Sequence, residues 1–150
     1  MSTNIVDAVR AARQSGDYQG VLETIPYMRF LGLTVSVDDN GPICCMPGSD
    51  HIIGNPVLPA IHGGVVGALL ESAAIMHIMW AHESLHVPKI INLTVEYLRS
   101  ARVVDTYAQA VITKHGRRIA NMRIEAWQAD REKPVAMAHA HFLLPSEDAA

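Results

Sequence analysis

The longest apolar stretch of the chain is NPVLPAIHGGVVGALLESAAIMHIMW, residues 55–80. Its apolar residues do not form one stripe but surround the axis of a helix, which we predict to run from about Ile61 to about His82. A helix that is apolar on every side has to be buried. In a single chain of this length, the other segments must therefore wrap around it.

The segments that follow this helix are typical of strands, because they are rich in β-branched and aromatic residues. They are KIINLTVEYLRSA (89–101), DTYAQAVITKHG (105–116), RRIANMRIEAWQAD (117–130) and KPVAMAHAHFLLP (133–145). Before the helix, LTVSVDDNGPICCMP (33–47) predicts two short strands around a turn at Asp39-Asn40-Gly41. The connections are short, which favours antiparallel neighbours. We therefore predict an α+β fold, an antiparallel five- to six-stranded sheet wrapped around a long central helix.

The N-terminal part of the chain predicts short helices and a loop. NIVDAVRAAR (4–13) has apolar residues at helical spacing, and QGVLETIPYMRFLG (19–32) predicts a second short helix or turn, broken by Pro26 and ended by Gly32. The proline-containing segment GSDHIIGNPVLPA (48–60) predicts an extended loop. The 150 residues suit one domain, 1–150, with 1–24 as an N-terminal helical extension.

Charge and composition restrict the setting of the protein. A formal net charge of −3 gives no general attraction to nucleic acid or to an anionic membrane. The first residues lack the apolar core of a signal peptide, so we expect a cytoplasmic protein. Cys44 and Cys45 are adjacent, which is a poor geometry for a disulfide, and we expect them to serve as small core or edge residues.

The central helix is predicted to begin at His62-Gly63-Gly64. The first N–H groups of a helix have no partner within it and carry the positive end of its dipole. Glycine allows another group to approach these N–H groups closely. The tripeptide therefore suits a carbonyl oxygen that becomes negative, as in acyl transfer. The alternative is that Gly63 and Gly64 only allow close packing.

Glu71 is the one carboxylate inside this apolar helix, nine residues after His62. A carboxylate in an apolar site is costly to ionise and is often functional. The alternative is a charge that reaches a polar rim or pairs with an arginine. Eight residues of helix separate Gly63 from Glu71 by about 12 Å, so one carbonyl group cannot contact both. If the two act together, they belong to two chains of a two-fold dimer.

Several features occur in an order that resembles the hotdog-fold acyl-CoA thioesterases, in particular the PaaI-like group. Over residues 25–144 they are IPYMRFLGL, Asn55, His62-Gly63-Gly64, Glu71, VEYLRSA, GRRIA and VAMAHAHF. The resemblance implies a hotdog fold and a homodimer or dimer of dimers. It also implies the hydrolysis of an acyl-CoA thioester to a free acid and coenzyme A, without a metal or another cofactor.

The resemblance also implies roles for single residues. Gly63 would donate its backbone N–H to the thioester carbonyl, and Gly64 would line the same substrate site. Asn55 would position the substrate or the attacking water. Glu71 of the other subunit would act as general base or nucleophile. His62 would shape and cap the start of the helix.

One departure from the family concerns the strand after the helix. Many relatives place a Ser or Thr there that holds the attacking water, and Ile90 occupies that position here. Asn92 or Thr94 would have to substitute. This departure supports a rival function, a non-catalytic dimer that binds or senses acyl-CoA. A third possibility, a hotdog enoyl-CoA hydratase, would require an Asp/His pair that the sequence does not place.

Basic residues near the predicted strand ends suit a substrate that carries phosphates. Arg99, Arg117 and Arg118 would pair with the phosphates of coenzyme A, unless they are ordinary solvated charges. Among the eight histidines, His77, His82 and His86 have a spacing that would suit a helix face, but no HExxH pattern or cysteine pair accompanies them, and we expect no metal site. The sequence also contains no G-x-S-x-G elbow of a serine hydrolase.

Overall fold

A six-stranded antiparallel sheet and one long helix form the body of the protein in its computed structural model, which describes residues 4–82 and 85–146. The strands of this sheet are β1 (Thr34–Asp38), β2 (Gly41–Met46), β5 (Lys89–Tyr97), β6 (Thr106–His115), β7 (Ile119–Trp127) and β8 (Ala136–Leu143). Their order across the sheet is β1-β2-β6-β7-β8-β5. The predicted fold class is confirmed, with six strands.

The long helix, α4 (Gly63–Ala81), is buried on most of its circumference, as its apolar sequence predicts. It packs mainly on β2, β6 and β7. Its large side chains, such as Leu69, Leu70 and Met76, meet a sheet surface on which many of the buried residues are alanines. One row across that surface consists of Cys44, Ala108, Ala126 and Ala136 on neighbouring strands. Large residues on the helix and small ones on the sheet allow the two to pack closely.

The strand β5 forms one edge of the sheet, and among the residues that the structure describes it pairs only with β8. Most of its residues are exposed, including Ile91 at 52% and Tyr97 at 56%. The helix α4 also has an incompletely covered side, on which Gly64, Ala68, Glu71 and Ile75 follow one another at intervals of three or four residues. An unpaired, partly apolar edge strand is a surface that proteins normally cover or protect.

The N-terminal segment forms three short helices, α1 (Ile5–Ser15), α2 (Gln19–Glu23) and α3 (Pro26–Phe30). The single second helix that we considered is thus divided in two, because Pro26 is well suited to the first position of a new helix. Val9 and Leu22 are fully buried and belong to the same core as α4. Residues 1–3 of the predicted extension 1–24 lie outside the described residues.

The proline-containing segment before α4 has more structure than the loop that its sequence predicts. It forms a single 3₁₀ turn, Asp50–Ile52, and a small antiparallel pair, β3 (Ile53–Asn55) and β4 (Ala60–Ile61). The N–H of His62 donates to the carbonyl oxygen of Ile52 at 2.8 Å. A side chain at Gly54 would collide with the backbone of His62, since an added Cβ would lie 2.5 Å from its Cα. This close contact fixes the chain immediately before α4.

In the second half of α4, His77 is a buried imidazole that faces the turn between β1 and β2. Only 6% of the residue is exposed, and its Nδ1 has no hydrogen-bond partner among the described residues. Gly41, with φ +115°, makes room for the ring, because an added Cβ would lie 2.9 Å from that nitrogen. Burial lowers the pKa of the His77 imidazole below its ordinary value of 6.5. The folded protein therefore resists protonation of this ring more than the unfolded chain does.

We predict that this histidine makes the protein less stable in acid. In the unfolded chain the His77 imidazole binds a proton at its ordinary pKa of 6.5, whereas in the native protein burial lowers that pKa. Protonation in acid therefore favours the unfolded chain. The stability that the neutral ring allows is complete above pH 6.5 and is lost as the pH falls. One such group changes the free energy of unfolding by at most about 1.4 kcal/mol per pH unit. Urea unfolding at about pH 7.5 and about pH 5.5 should therefore show a smaller loss of stability for His77→Leu than for the parent.

The control is His139→Leu, which removes an exposed imidazole from β8 and should keep the parental dependence on pH. Equal losses of stability in the parent and in His77→Leu would contradict the prediction.

Candidate active site

The start of α4 is held by hydrogen bonds that involve His62. The ring Nδ1 of His62 accepts from the N–H of Gly64 at 2.9 Å, and its backbone carbonyl accepts from the N–H groups of Val65 and Val66 at 3.0 and 3.2 Å. The N–H of Gly63 has no acceptor within residues 4–82 and 85–146. This N–H is therefore the one donor of the first turn that is available to a ligand.

The side chain of His62 thus acts as the N-cap of α4. Because Nδ1 accepts a hydrogen bond, the neutral ring carries its proton on Nε2. A nitrogen occupied in this way cannot also remove a proton from water. The geometry therefore matches a role for His62 in shaping the helix start rather than in proton transfer.

A further contact to the same peptide comes from Tyr97, at the end of β5. Its hydroxyl donates to the carbonyl oxygen of Gly63 at 2.7 Å. Its ring fills the space that a side chain at Gly63 would need, since an added Cβ would lie 3.3 Å from two ring carbons. Gly63 therefore fits both interpretations of the glycine pair. It allows the Tyr97 ring to pack closely, and its N–H is left without an acceptor in the described chain.

A cavity of about 380 Å³ lies beside this helix start. Its lining combines polar and apolar surface in about equal parts. The polar part comes from the Gly63 backbone, Tyr97, Arg99 and Ser100, and the apolar side chains are Ala60, Ile61, Val66, Leu98, Ala101 and Val135. The Nη1 of Arg99 donates to the carbonyl oxygen of Pro134 at 2.7 Å, which holds the guanidinium at the cavity. Apolar walls together with a few placed polar groups are what a small-molecule site combines.

The other two predicted arginines lie elsewhere. Arg117 and Arg118 are exposed in the turn between β6 and β7. That turn is near the C-terminal end of α4, where the rings of His82 and His115 are 5.6 Å apart. Within one chain the structure therefore places Arg99 at the Gly63 end of the helix and Arg117 and Arg118 at the opposite end.

Glu71 lies about two turns along α4 from Gly63 and is half-buried. Burial raises the pKa of its carboxyl group above the ordinary value of 4.5. No ion pair or hydrogen bond of this carboxylate occurs in the described part of the chain, so the pairing with an arginine that we considered is not found there. As the helix geometry predicts, Glu71 and Gly63 of one chain are about 12 Å apart along the axis.

Asn55 is the last residue of β3, where its side chain organises the loop that leads to β4. Its Oδ1 accepts from the N–H groups of Val57 and Leu58 at 3.0 and 3.2 Å. Val57 and Leu58 form an exposed apolar loop tip, at 90% and 63% exposure. The amide oxygen of Asn55 is therefore already engaged with the backbone, and its NH₂ group is the part suited to a ligand.

The polar residues of β5 lie on the face of the sheet away from α4. Asn92 Oδ1 is 2.7 Å from Nδ1 of His141, and His141 alternates with Ala140 and Phe142, whose side chains are buried toward the helix. Thr94 shares the outer face with Asn92. Ile90 precedes an irregularity in the pairing and lies opposite Phe142. One chain thus brings neither Asn92 nor Thr94 to Gly63.

The remaining histidines are dispersed. His139 and His141 lie on the outer face of β8, and His77 is in the core. Across the described residues there is no group of three or more His, Cys, Asp or Glu side chains that could hold a metal ion.

Sequence and structure comparisons bear on this site. The model of the family described as "Thioesterase superfamily" matches residues 58–135, which are 78 of the 150 residues and include the helix start and Glu71. A solved protein from Chromobacterium violaceum is 38% identical, with 95% of this chain and 99% of that chain covered and a TM-score of 0.76. No curated protein matches the chain.

Two more distant structures share the fold. A phenylacetic acid degradation-related protein from Ralstonia eutropha is 24% identical, covers 80% of this chain and 90% of its own, and gives a TM-score of 0.72. A Bacillus halodurans protein crystallised with CoA is 21% identical, covers 95% of this chain and 90% of its own, and gives a TM-score of 0.69.

Proposed function

The chain belongs to the thioesterase superfamily, and from this premise we propose that it hydrolyses an acyl-CoA thioester to a free acid and coenzyme A. The observation that carries the proposal is the N–H of Gly63, which has no acceptor in the described chain and adjoins a cavity lined by both apolar and polar groups. The CoA in the Bacillus halodurans protein and the name of the Ralstonia eutropha protein support a PaaI-like acyl-CoA substrate.

In the proposed reaction, the thioester carbonyl oxygen accepts a hydrogen bond from Gly63 N–H. Water attacks the carbonyl carbon, and the negative charge that develops on the oxygen is stabilised by this donor and by the helix dipole. The Glu71 carboxylate takes a proton from the water as the new C–O bond forms. The C–S bond then breaks, and the thiolate of coenzyme A leaves and takes up a proton. Alternatively, the carboxylate attacks the carbonyl carbon, the C–S bond breaks, and coenzyme A leaves as a thiolate that takes up a proton. Water then hydrolyses the resulting anhydride to the free acid and the Glu71 carboxylate.

The 12 Å between Gly63 and Glu71 requires that the carboxylate come from a second chain, and the exposed edge of β5 supports such a dimer. Two copies of β5 related by a two-fold axis would pair antiparallel, so the start of one strand meets the end of the other. Lys89, at the start of β5, pairs with Leu143 of β8, and Leu143 pairs on its other side with Ile119 of β7. Ile119 directly follows the turn that carries Arg117 and Arg118.

This arrangement would bring the turn of one subunit toward the Gly63 end of the other. Arg117 and Arg118 would then join Arg99 around the phosphates of coenzyme A, although they are far from Arg99 within one chain. The dimer therefore reconciles the predicted binding residues with their separation in a protomer.

A second candidate function is a dimer that binds acyl-CoA without hydrolysing it. The position of Ile90 favours it, because an isoleucine cannot hold a water, and Asn92 and Thr94 face away from the helix. Thiol release from phenylacetyl-, medium-chain and branched acyl-CoAs, measured beside the binding of the same compounds, separates the two functions. We expect at least one compound to be both bound and hydrolysed. Binding without any thiol release would favour the non-catalytic dimer.

We predict that Glu71→Gln lowers kcat by about 10²–10⁴, the range typical of an acid–base group, with little change in KM. In the parent, kcat/KM should rise with pH through a pKa above 4.5, because only the ionised carboxylate can accept a proton and burial raises its pKa. Steady-state kinetics over a pH range tests both statements.

The matched control is Glu23→Gln, an exposed glutamate on α2 that should keep parental kinetics. A Glu71→Gln enzyme with parental kcat on every thioester tested would contradict the assignment of Glu71.

We further predict that Ile91→Lys disrupts the dimer and the activity together. Ile91 is 52% exposed on the edge strand, so lysine is tolerated in the folded monomer but places a charge in the proposed strand pairing. Size-exclusion chromatography should show a shift to monomer, with thiol release falling in parallel. Val104→Lys, at a 47% exposed position outside the strands, should change neither. An active Ile91→Lys monomer would contradict the shared site.

A further inference from the structure

We propose that Tyr97 is a positioning residue of this site, which fixes the direction of the Gly63 N–H by holding the peptide that joins Gly63 to Gly64. The inference rests on the proposed function and extends it to a side chain outside the set of residues predicted from the sequence. It depends on four hydrogen bonds that converge on the first turn of α4.

Two consecutive glycines at a helix start are a flexible element, because glycine occupies a wide range of φ and ψ. A donor on such a segment has no fixed direction unless other groups hold the peptides on both sides of it. Directional donors stabilise developing charge well only when they are held before the reaction, so this flexibility would reduce catalysis.

Each of the two peptides that flank Gly63 is held by its own pair of hydrogen bonds. On the N-terminal side, the carbonyl of His62 accepts from Val65 and Val66. On the C-terminal side, the peptide has a contact at each end, because the Tyr97 hydroxyl donates to the Gly63 carbonyl at 2.7 Å and the Gly64 N–H donates to His62 Nδ1 at 2.9 Å. The φ and ψ of Gly63 are thereby fixed, and with them the direction of its N–H.

Tyr97 is well placed for this role. Its ring packs on Gly63 at the edge of the sheet, and its hydroxyl is bonded to the Gly63 backbone. Glycine at 63 is what allows the ring to approach, and Gly67, one turn further along α4, also faces the hydroxyl. Tyr97 also lines the cavity beside Gly63, so its hydroxyl acts next to the place where the carbonyl is proposed to bind.

The test is Tyr97→Phe, which removes the hydroxyl and keeps the ring. We expect kcat to fall by about 10-fold, less than the ~10²–10³ that follows loss of an oxyanion donor itself, because the donor remains but is less well directed. KM should change by less than about twofold, since the contact acts mainly in the transition state. In ¹H–¹⁵N spectra, the amide signals of Gly63 and Gly64 should shift and exchange faster with solvent.

Two further variants separate the hydroxyl from the ring. Tyr27→Phe removes an exposed hydroxyl on α3 and should leave kcat and both amide signals unchanged. Tyr97→Leu removes ring and hydroxyl together and should lower kcat at least as much as Tyr97→Phe. If only the ring mattered, Tyr97→Phe would behave as the parent and Tyr97→Leu alone would lose activity, which would overturn the proposal.

The amide signals keep this test separate from that of the proposed function. If the parent hydrolyses no thioester, the proposed hydrolysis fails, and the spectra alone decide whether Tyr97 holds the peptide. Unchanged signals of Gly63 and Gly64 in Tyr97→Phe would overturn the inference whether or not the parent is active.

Discussion

The packing of one apolar helix against an alanine-rich sheet face is the interaction on which the rest of this structure depends. Because β6, β7 and β8 present alanines to α4, the helix lies close to the sheet and its position along the strands is fixed. That position places the start of the helix beside the end of β5, where Tyr97 meets Gly63. It also places Glu71 about 12 Å further along the same rigid helix, beyond the reach of a carbonyl bound at Gly63.

Much of this could be predicted from the sequence, because it depends on local pattern. The apolar circumference of residues 61–82 predicts a buried helix, and its observed bounds, Gly63–Ala81, differ by only one or two residues. Strand composition and short connections predict the antiparallel sheet. The order of short motifs from 25 to 144 indicates the thioesterase family, to which the chain belongs.

The rest depends on contacts between distant segments. The bond from Tyr97 to Gly63 joins residues 34 apart and has no local signal. The irregular pairing between Ile90 and Asn92 decides which side chains of β5 face the helix. The distance between Arg99 and Arg117 follows from the order of the strands in the sheet. The alternation of apolar and polar residues within single strands does not reveal that order. Whether Asn55 and the arginines serve in the site stays a prediction, because it concerns how two chains meet.

The central claim, that each site takes Gly63 from one chain and Glu71 from the other, is tested most directly by mixing two inactive chains. One carries Glu71→Ala. The other carries Gly63→Pro, which removes the N–H at the first helical position, where proline is common; the Tyr97 ring has to shift by a few tenths of an ångström to admit the new Cβ. With random pairing on co-expression, about half of the dimers are mixed and each has one intact site, so about a quarter of parental activity should return. A mixture that is shown by sizing to be dimeric but remains as inactive as its two parents would contradict the account.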